Sequence, residues 1–111
     1  MDKKTSDLEE MQIVEQRLNS ILMQKQSFQI EFSENQSALR EIESSDGDVF
    51  KVIGQLMVKT DRKKLKDELS GKEKILDMRI KAIEKQESSL MEKLERLREG
   101  VLKSIRNKEQ K

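Results

Sequence analysis

The sequence lacks proline, cysteine, histidine, tryptophan and tyrosine, and three phenylalanines are its only aromatic residues. Without histidine or cysteine the chain has no imidazole base, no thiolate nucleophile and no zinc site of the usual kinds, so we expect no enzyme, no metal site and no cofactor. No segment approaches the roughly 18 consecutive apolar residues of a membrane span, and the first residues lack the apolar core of a signal peptide. The lack of cysteine agrees with a reducing compartment. We therefore expect a cytoplasmic protein.

Apolar residues are also scarce, because 33% of the 111 residues are hydrophobic and 41% are charged. Globular domains contain about 45–50% apolar residues, so this chain must adopt an elongated fold or share its core with other chains. The 23 Lys and Arg residues nearly balance the 22 Asp and Glu residues, for a net charge of +1. This balance predicts neither nucleic acid nor a membrane as a partner.

The N-terminal part carries apolar residues at alternating steps of three and four, which is the heptad pattern of a coiled-coil helix. Ser6 followed by Glu9 has the spacing of a capping box, and Gly47 lies in a polar run that is typical of a helix end. The sequence therefore predicts a helix over about residues 7–44. We call its heptad positions the first seam: Met11, Val14, Leu18, Ile21, Lys25, Phe28, Phe32, Asn35, Leu39 and Ile42.

The C-terminal part repeats the same pattern and predicts a second helix over about residues 61–108, with Thr60 as its N-cap. Gly71 and Gly100 each cost such a helix about 1 kcal/mol relative to alanine. Its heptad positions form the second seam: Leu69, Glu73, Leu76, Ile80, Ile83, Glu87, Leu90, Leu94, Leu97 and Val101.

Between the helices, residues 48–60 are rich in β-branched residues and predict a short β-hairpin, with Gly54 at its turn. So short a ribbon, apolar on both faces, needs further strands to pair its edges. We expect several subunits to close their hairpins into a β-barrel, because two helices cannot cover both faces of a ribbon; an intramolecular cap on the two helices is the alternative. The predicted assembly residues are Val49, Phe50, Val52, Ile53, Leu56, Met57 and Val58.

A short hairpin returns the chain on itself, so the two helices should pair as an antiparallel coiled coil within one mainly α domain over residues 1–111. Counting outward from the hairpin places Met11 near Leu94 and Leu8 near Leu97. The polar seam positions are then interpreted as residues that set the register of the two helices: Lys25, Asn35, Glu73 and Glu87.

This pattern resembles the β-class subunits of prefoldin, a hexameric co-chaperone. The central stretch 49–60 is similar to the family signature of an aromatic residue, Lys, any residue, an aliphatic residue and Gly, followed by aliphatic residues, Val and Lys. Residues 38–43, 68–69 and 85–87 carry the rest of the likeness. The α class carries two hairpins, whereas only one fits here, so the resemblance is to the β class.

The resemblance implies a hexamer of two α-class and four β-class subunits, with paired β-barrels from which the coiled coils project. It also implies an archaeal source, ATP-independent capture of unfolded polypeptides at the coiled-coil tips, and their delivery to a group II chaperonin. The apolar residues at the predicted tips are then candidates for client binding, with completion of the coiled-coil core as the alternative: Leu8, Met11, Val101, Leu102 and Ile105.

Two further functions remain open. A structural coiled-coil scaffold in an unrelated complex is the alternative function, and a coiled-coil arm that grips nucleic acid is a third, which the near-zero net charge disfavours. Basic residues cluster at Lys59, Arg62, Lys63, Lys64 and Lys66, and a second basic run includes Lys103, Arg106, Lys108 and Lys111. Without interleaved aromatics or a glycine-rich phosphate loop, we interpret both as solvated helix ends.

Overall fold

The computed structural model describes residues 3–109, with the side chains of residues 5–107. A long helix, α1 (Lys3–Ser44), is followed by two short strands, β1 (Val49–Ile53) and β2 (Leu56–Thr60), and then by a second long helix, α2 (Arg62–Glu109). This order confirms the predicted fold class of two long helices joined by one β-hairpin.

The chain divides into two structural units, each of which contains part of both helices. The terminal unit holds the α1 residues up to Gln26 and the α2 residues from Lys81 onwards. The hairpin unit holds Ser27–Ile80 and therefore includes both strands.

In each unit the two helices run antiparallel, as the order of the ion pairs between them shows. In the terminal unit these pairs are Glu10–Lys93 at 3.0 Å and Lys25–Glu84 at 3.6 Å. In the hairpin unit they are Glu31–Lys72 at 3.7 Å and Glu43–Lys66 at 3.3 Å. Residues later in α1 thus pair with residues earlier in α2, which confirms the predicted pairing direction.

Every position of both predicted seams is buried or half-buried. In a coiled coil, only the stripe of residues with 3-4 spacing on each helix is removed from water. A small number of apolar residues is therefore enough to build the core. The buried apolar side chains are Val14, Ile21, Ile83, Leu94 and Val101 in the terminal unit, and Ile42, Leu65 and Leu76 in the hairpin unit.

Both helices begin at residues other than the predicted ones. Helix α1 begins at Lys3, so Ser6 lies inside it and is not its N-cap. No proline or glycine precedes Ser6, so nothing in the local sequence stops the helix there.

The N-cap of α2 is Asp61, not Thr60: the Lys64 amide donates to Asp61 Oδ2 at 3.1 Å. Thr60 is instead the last paired residue of β2.

The two strands form an antiparallel pair whose register runs from Val49 opposite Thr60 to Ile53 opposite Leu56. A two-residue turn joins them, and its first residue, Gly54, has φ of 60°. A positive φ at the first turn residue alone is the mark of a type II′ turn, which matches the twist of the flanking strands. The predicted turn glycine is therefore confirmed.

The side chain of Arg62 helps to hold the end of α1 to the start of α2. The Arg62 guanidinium donates to the carbonyl oxygen of Ile42, in the last turn of α1, and to that of Gly47 at 2.6 Å. Gly47 has φ of 100°, a conformation that side chains with a Cβ rarely adopt. The last carbonyls of a helix lack partners within it, so a cation that bonds one of them stabilises this end.

Candidate functional surfaces

The β-hairpin presents apolar side chains to solvent on both of its faces. Phe50, Val52 and Met57 lie on one face, and Ile53, Leu56 and Val58 lie on the other, because residues paired across the strands share a face. All six side chains are exposed, and the exposed fraction of Met57 is 70%. Among the predicted assembly residues, Val49 alone is half-buried. Exposed apolar side chains at this density mark a surface that another protein covers.

The hairpin also offers unpaired strand edges. Within residues 3–109 the sheet has two strands, so each strand is bonded on one side only. An open edge carries backbone N–H and C=O groups that can bond a further strand. The hairpin therefore combines apolar faces with two edges that can accept other strands.

The five candidate tip residues all lie in the terminal unit, but in different environments. Leu8 and Leu102 are exposed, Leu102 by 53%. Met11 and Ile105 are half-buried, and Val101 is only 9% exposed because it lies on the second seam. Of the set, Leu8 and Leu102 are the large apolar side chains most open to a ligand.

The polar seam positions make specific contacts between the helices. Lys25 Nζ lies 3.5 Å from Glu87 Oε1 and 3.6 Å from Glu84 Oε2. Asn35 is only 5% exposed, and its Nδ2 donates to the backbone carbonyl of Leu69 at 2.7 Å.

On the second seam, Glu73 Oε1 accepts a hydrogen bond from Gln36 Nε2 at 3.3 Å. The partners Glu84, Gln36 and the Leu69 carbonyl were not predicted, since the heptad pattern identifies which residues face the other helix but not what they meet there. These contacts give the polar groups of the seams partners on the facing helix.

Three residues of the basic cluster, Lys59, Arg62 and Lys66, contact the protein itself, whereas Lys63 and Lys64 are exposed. Lys59 Nζ lies 3.4 Å from Asp48 Oδ2, and Lys66 Nζ pairs with Glu43. Of the second basic run, Lys103 and Arg106 are exposed, whereas the side chain of Lys108 and the whole of Lys111 lie outside the described residues.

A groove of about 590 Å³ lies between the two helices of the terminal unit, beside the seam. Sequence reasoning missed it, although Leu22 and Met91 follow seam positions by four residues and so continue the apolar face sideways. We call it the flank groove; its lining residues are Glu15, Leu18, Asn19, Leu22, Glu87, Met91, Leu94, Glu95 and Arg98.

Across the described part of the chain, no group of three or more Asp or Glu side chains is placed to hold a metal ion. No helix among these residues is both long and apolar enough to cross a bilayer.

Comparison with known proteins assigns this architecture to a family. The family model described as "Prefoldin subunit" matches residues 5–108, nearly the whole chain. This chain belongs to the prefoldin subunit family. The resemblance stated from the sequence is thereby confirmed.

Prefoldin relatives of the β class match over most of their length. The prefoldin subunit beta of Thermococcus onnurineus is 40% identical over 94 residues, which cover 83% of this chain and 81% of the relative. That of Thermococcus kodakarensis is 39% identical, with 89% of this chain and 86% of the relative covered. The crystal structure of the prefoldin beta subunit from Thermococcus strain KS-1 superposes with a TM-score of 0.87 at 36% identity, and covers 96% of this chain and 95% of the other.

Membership of the prefoldin family decides between the functions that the sequence left open. Prefoldin subunits are parts of a co-chaperone, so this chain is a co-chaperone subunit and not a scaffold of an unrelated complex. The family is one of chaperones and not of enzymes, and its subunits act in a complex with other subunits.

Proposed function

We propose that this chain is a β-class subunit of a prefoldin hexamer. In this hexamer it joins two α-class subunits and three further β-class chains. The hexamer holds unfolded polypeptides without ATP. The single observation that carries the proposal is the exposed hairpin, which has apolar side chains on both faces and two open edges. Burial of one such side chain is worth about 1.5–3 kcal/mol, so covering six of them in an inter-subunit β-barrel strongly favours assembly.

The hairpin residues form the proposed assembly interface. In a closed barrel each edge strand bonds the hairpin of a neighbouring subunit, and the apolar faces become the interior and the packing surface of the barrel. The interface residues are the seven predicted from the sequence: Val49, Phe50, Val52, Ile53, Leu56, Met57 and Val58. The family match over residues 5–108 supports treating residues 1–111 as one prefoldin-like domain.

The terminal unit forms the proposed client-binding surface. Leu8 and Leu102 are exposed there, and Met11 and Ile105 are accessible in part. Val101 supports these residues from the core, since it is buried on the seam. Flexible aliphatic and methionine side chains suit a surface that must bind many different unfolded chains. We further propose that the complex acts in the cytoplasm and transfers its clients to a group II chaperonin.

The test is to mix the chain with α-class prefoldin subunits and to follow the light scattering of a chemically denatured, aggregating enzyme. We expect suppression of aggregation by the assembled complex, without ATP and at near-stoichiometric amounts. The matched control omits the α-class subunits. A stable complex that leaves aggregation unchanged would contradict the holdase function and favour a structural coiled-coil adaptor.

A further inference from the structure

We propose that the flank groove of the terminal unit selects clients by charge: it binds extended segments of unfolded polypeptide in which large apolar residues lie next to lysine or arginine. The inference rests on the proposed holdase function and names the class of client segment that this subunit prefers. Every residue that carries it lies in the terminal unit.

The first step is that two exposed apolar side chains of this unit, Leu8 and Leu102, continue the groove along one flank. Leu8 lies two heptads before Leu22, and Glu15 lies one heptad before it, so these three residues share one face of α1. Met91 and Leu102 are eleven residues apart, which is three helical turns, and share one face of α2. Glu15, Leu22 and Met91 line the groove, and Leu22 and Met91 are 42% and 57% exposed.

The second step is the charge of the groove. Its lining holds three glutamates against one arginine. Arg98 lies 3.8 Å from Glu95, so this pair largely cancels. Lys25 lies 3.5 Å from Glu87 and 3.6 Å from Glu84, so these three groups together keep one negative charge, and the carboxylate of Glu15 adds a second. The apolar floor therefore has a negative rim, which is complementary to a cationic segment.

The third step is the size of the occupant. Leu8 and Leu22 are separated by fourteen residues of helix, or about 21 Å. An extended polypeptide rises about 3.3 Å per residue, so a stretch of about seven residues spans this distance. A lysine or arginine can lay its methylene stem on Leu22 or Met91 while its charged end reaches the glutamates, so one side chain satisfies both the floor and the rim.

The experiment uses the assembled complex with α-class subunits and two fluorescently labelled peptides of about seven residues, each with a leucine near either end. One peptide has a lysine beside each leucine, and the other has glutamates there. We expect fluorescence anisotropy to show binding of the lysine peptide about tenfold tighter than that of the glutamate peptide, with the difference reduced at high salt. Equal affinity for the two peptides overturns the charge preference.

Matched variants locate the site. Leu22→Ser combined with Met91→Ser should weaken the lysine peptide about tenfold, whereas Ile13→Ser, an exposed aliphatic on another face of α1, should leave its affinity unchanged. Glu15→Lys should weaken it about tenfold, and Glu9→Lys, an exposed glutamate outside the groove, should not. Equal losses in the groove variants and their controls overturn the site.

The outcomes separate this inference from the proposed function. A wild-type complex that suppresses aggregation but binds both peptides equally contradicts the groove inference alone. A wild-type complex that assembles and suppresses no aggregation contradicts the proposed function itself. If Leu22→Ser with Met91→Ser changes the stoichiometry of the complex in sedimentation, the groove is a contact between subunits and the client inference is wrong.

Discussion

Asn35 is a buried polar residue on the first seam, and we expect it to define the pairing of the two helices. A leucine at this seam position would bury more apolar area, but it would pack in several registers. The Asn35 amide is satisfied by the Leu69 carbonyl at 2.7 Å, and in a shifted pairing it must find another acceptor or stay unpaired. A buried donor without a partner costs about 1–3 kcal/mol, which is enough to disfavour the shifted pairings.

We predict that Asn35→Leu leaves the melting temperature equal or raises it by a few degrees, while the register of the hairpin unit becomes heterogeneous. The chain has no native cysteine, so spin labels can be placed at Glu31→Cys and Lys72→Cys. Electron paramagnetic resonance should show one narrow distance distribution in the parent chain and a broadened one in the variant. Ser33→Leu, an exposed position on the same helix, is the control. A narrow distribution in Asn35→Leu would contradict the register role.

At the scale of the elements, glycine has opposite effects in the helix and in the turn. Gly71 lies within α2, and a Cβ built there meets nothing within 4 Å. Gly54 has φ of 60° at the hairpin turn, where a Cβ is strained whatever space surrounds it. Gly71 therefore lowers the stability of the helix without being needed there, whereas the hairpin turn requires the glycine at position 54.

We predict that Gly71→Ala stabilises the protein by about 0.4–1 kcal/mol, because alanine restricts the unfolded chain and favours the helix. Gly54→Ala should destabilise it by about 1–2 kcal/mol, because the left-handed conformation disfavours a side chain. Chemical denaturation followed by circular dichroism at one protein concentration measures both changes. Effects of the same sign at the two sites would show that backbone conformation does not govern them.

At the scale of the whole molecule, the chain leaves apolar surface exposed in both units, and the two surfaces serve different proposed purposes. The hairpin surface is dense and has open strand edges, which suits permanent burial against other subunits. The surface of the terminal unit is sparse, flanked by charge and lacks strand edges, which suits reversible contact with changing partners.

We predict that Phe50→Asp or Ile53→Asp abolishes assembly while the helix content remains measurable, because a carboxylate in the barrel would be desolvated without a partner. Analytical ultracentrifugation of the mixture with α-class subunits measures the assembly, and circular dichroism measures the helices. Gln55→Asp, at the exposed hairpin turn, is the matched control and should assemble normally. A Phe50→Asp chain that sediments as the parent complex does would contradict the proposed interface.

The sequence by itself determined the features that depend on local spacing. The 3-4 periodicity identified every buried seam position from Met11 to Val101, and the glycine between two β-branched runs identified the turn at Gly54. These predictions succeed because side chains that face one partner recur at the period of the helix, and because only glycine adopts the turn conformation without strain.

Only the tertiary structure decided what those positions meet. The partner of Asn35 is 34 residues away, and the buried Val101 and exposed Leu102 are adjacent in the same apolar run. The start of α1 at Lys3 and the flank groove beside Leu22 were likewise outside the reach of the pattern. Such features follow from the relative rotation and register of two helices. Rotation and register depend on the packing of residues that are far apart in the chain, whereas the periodicity of the sequence describes each helix alone.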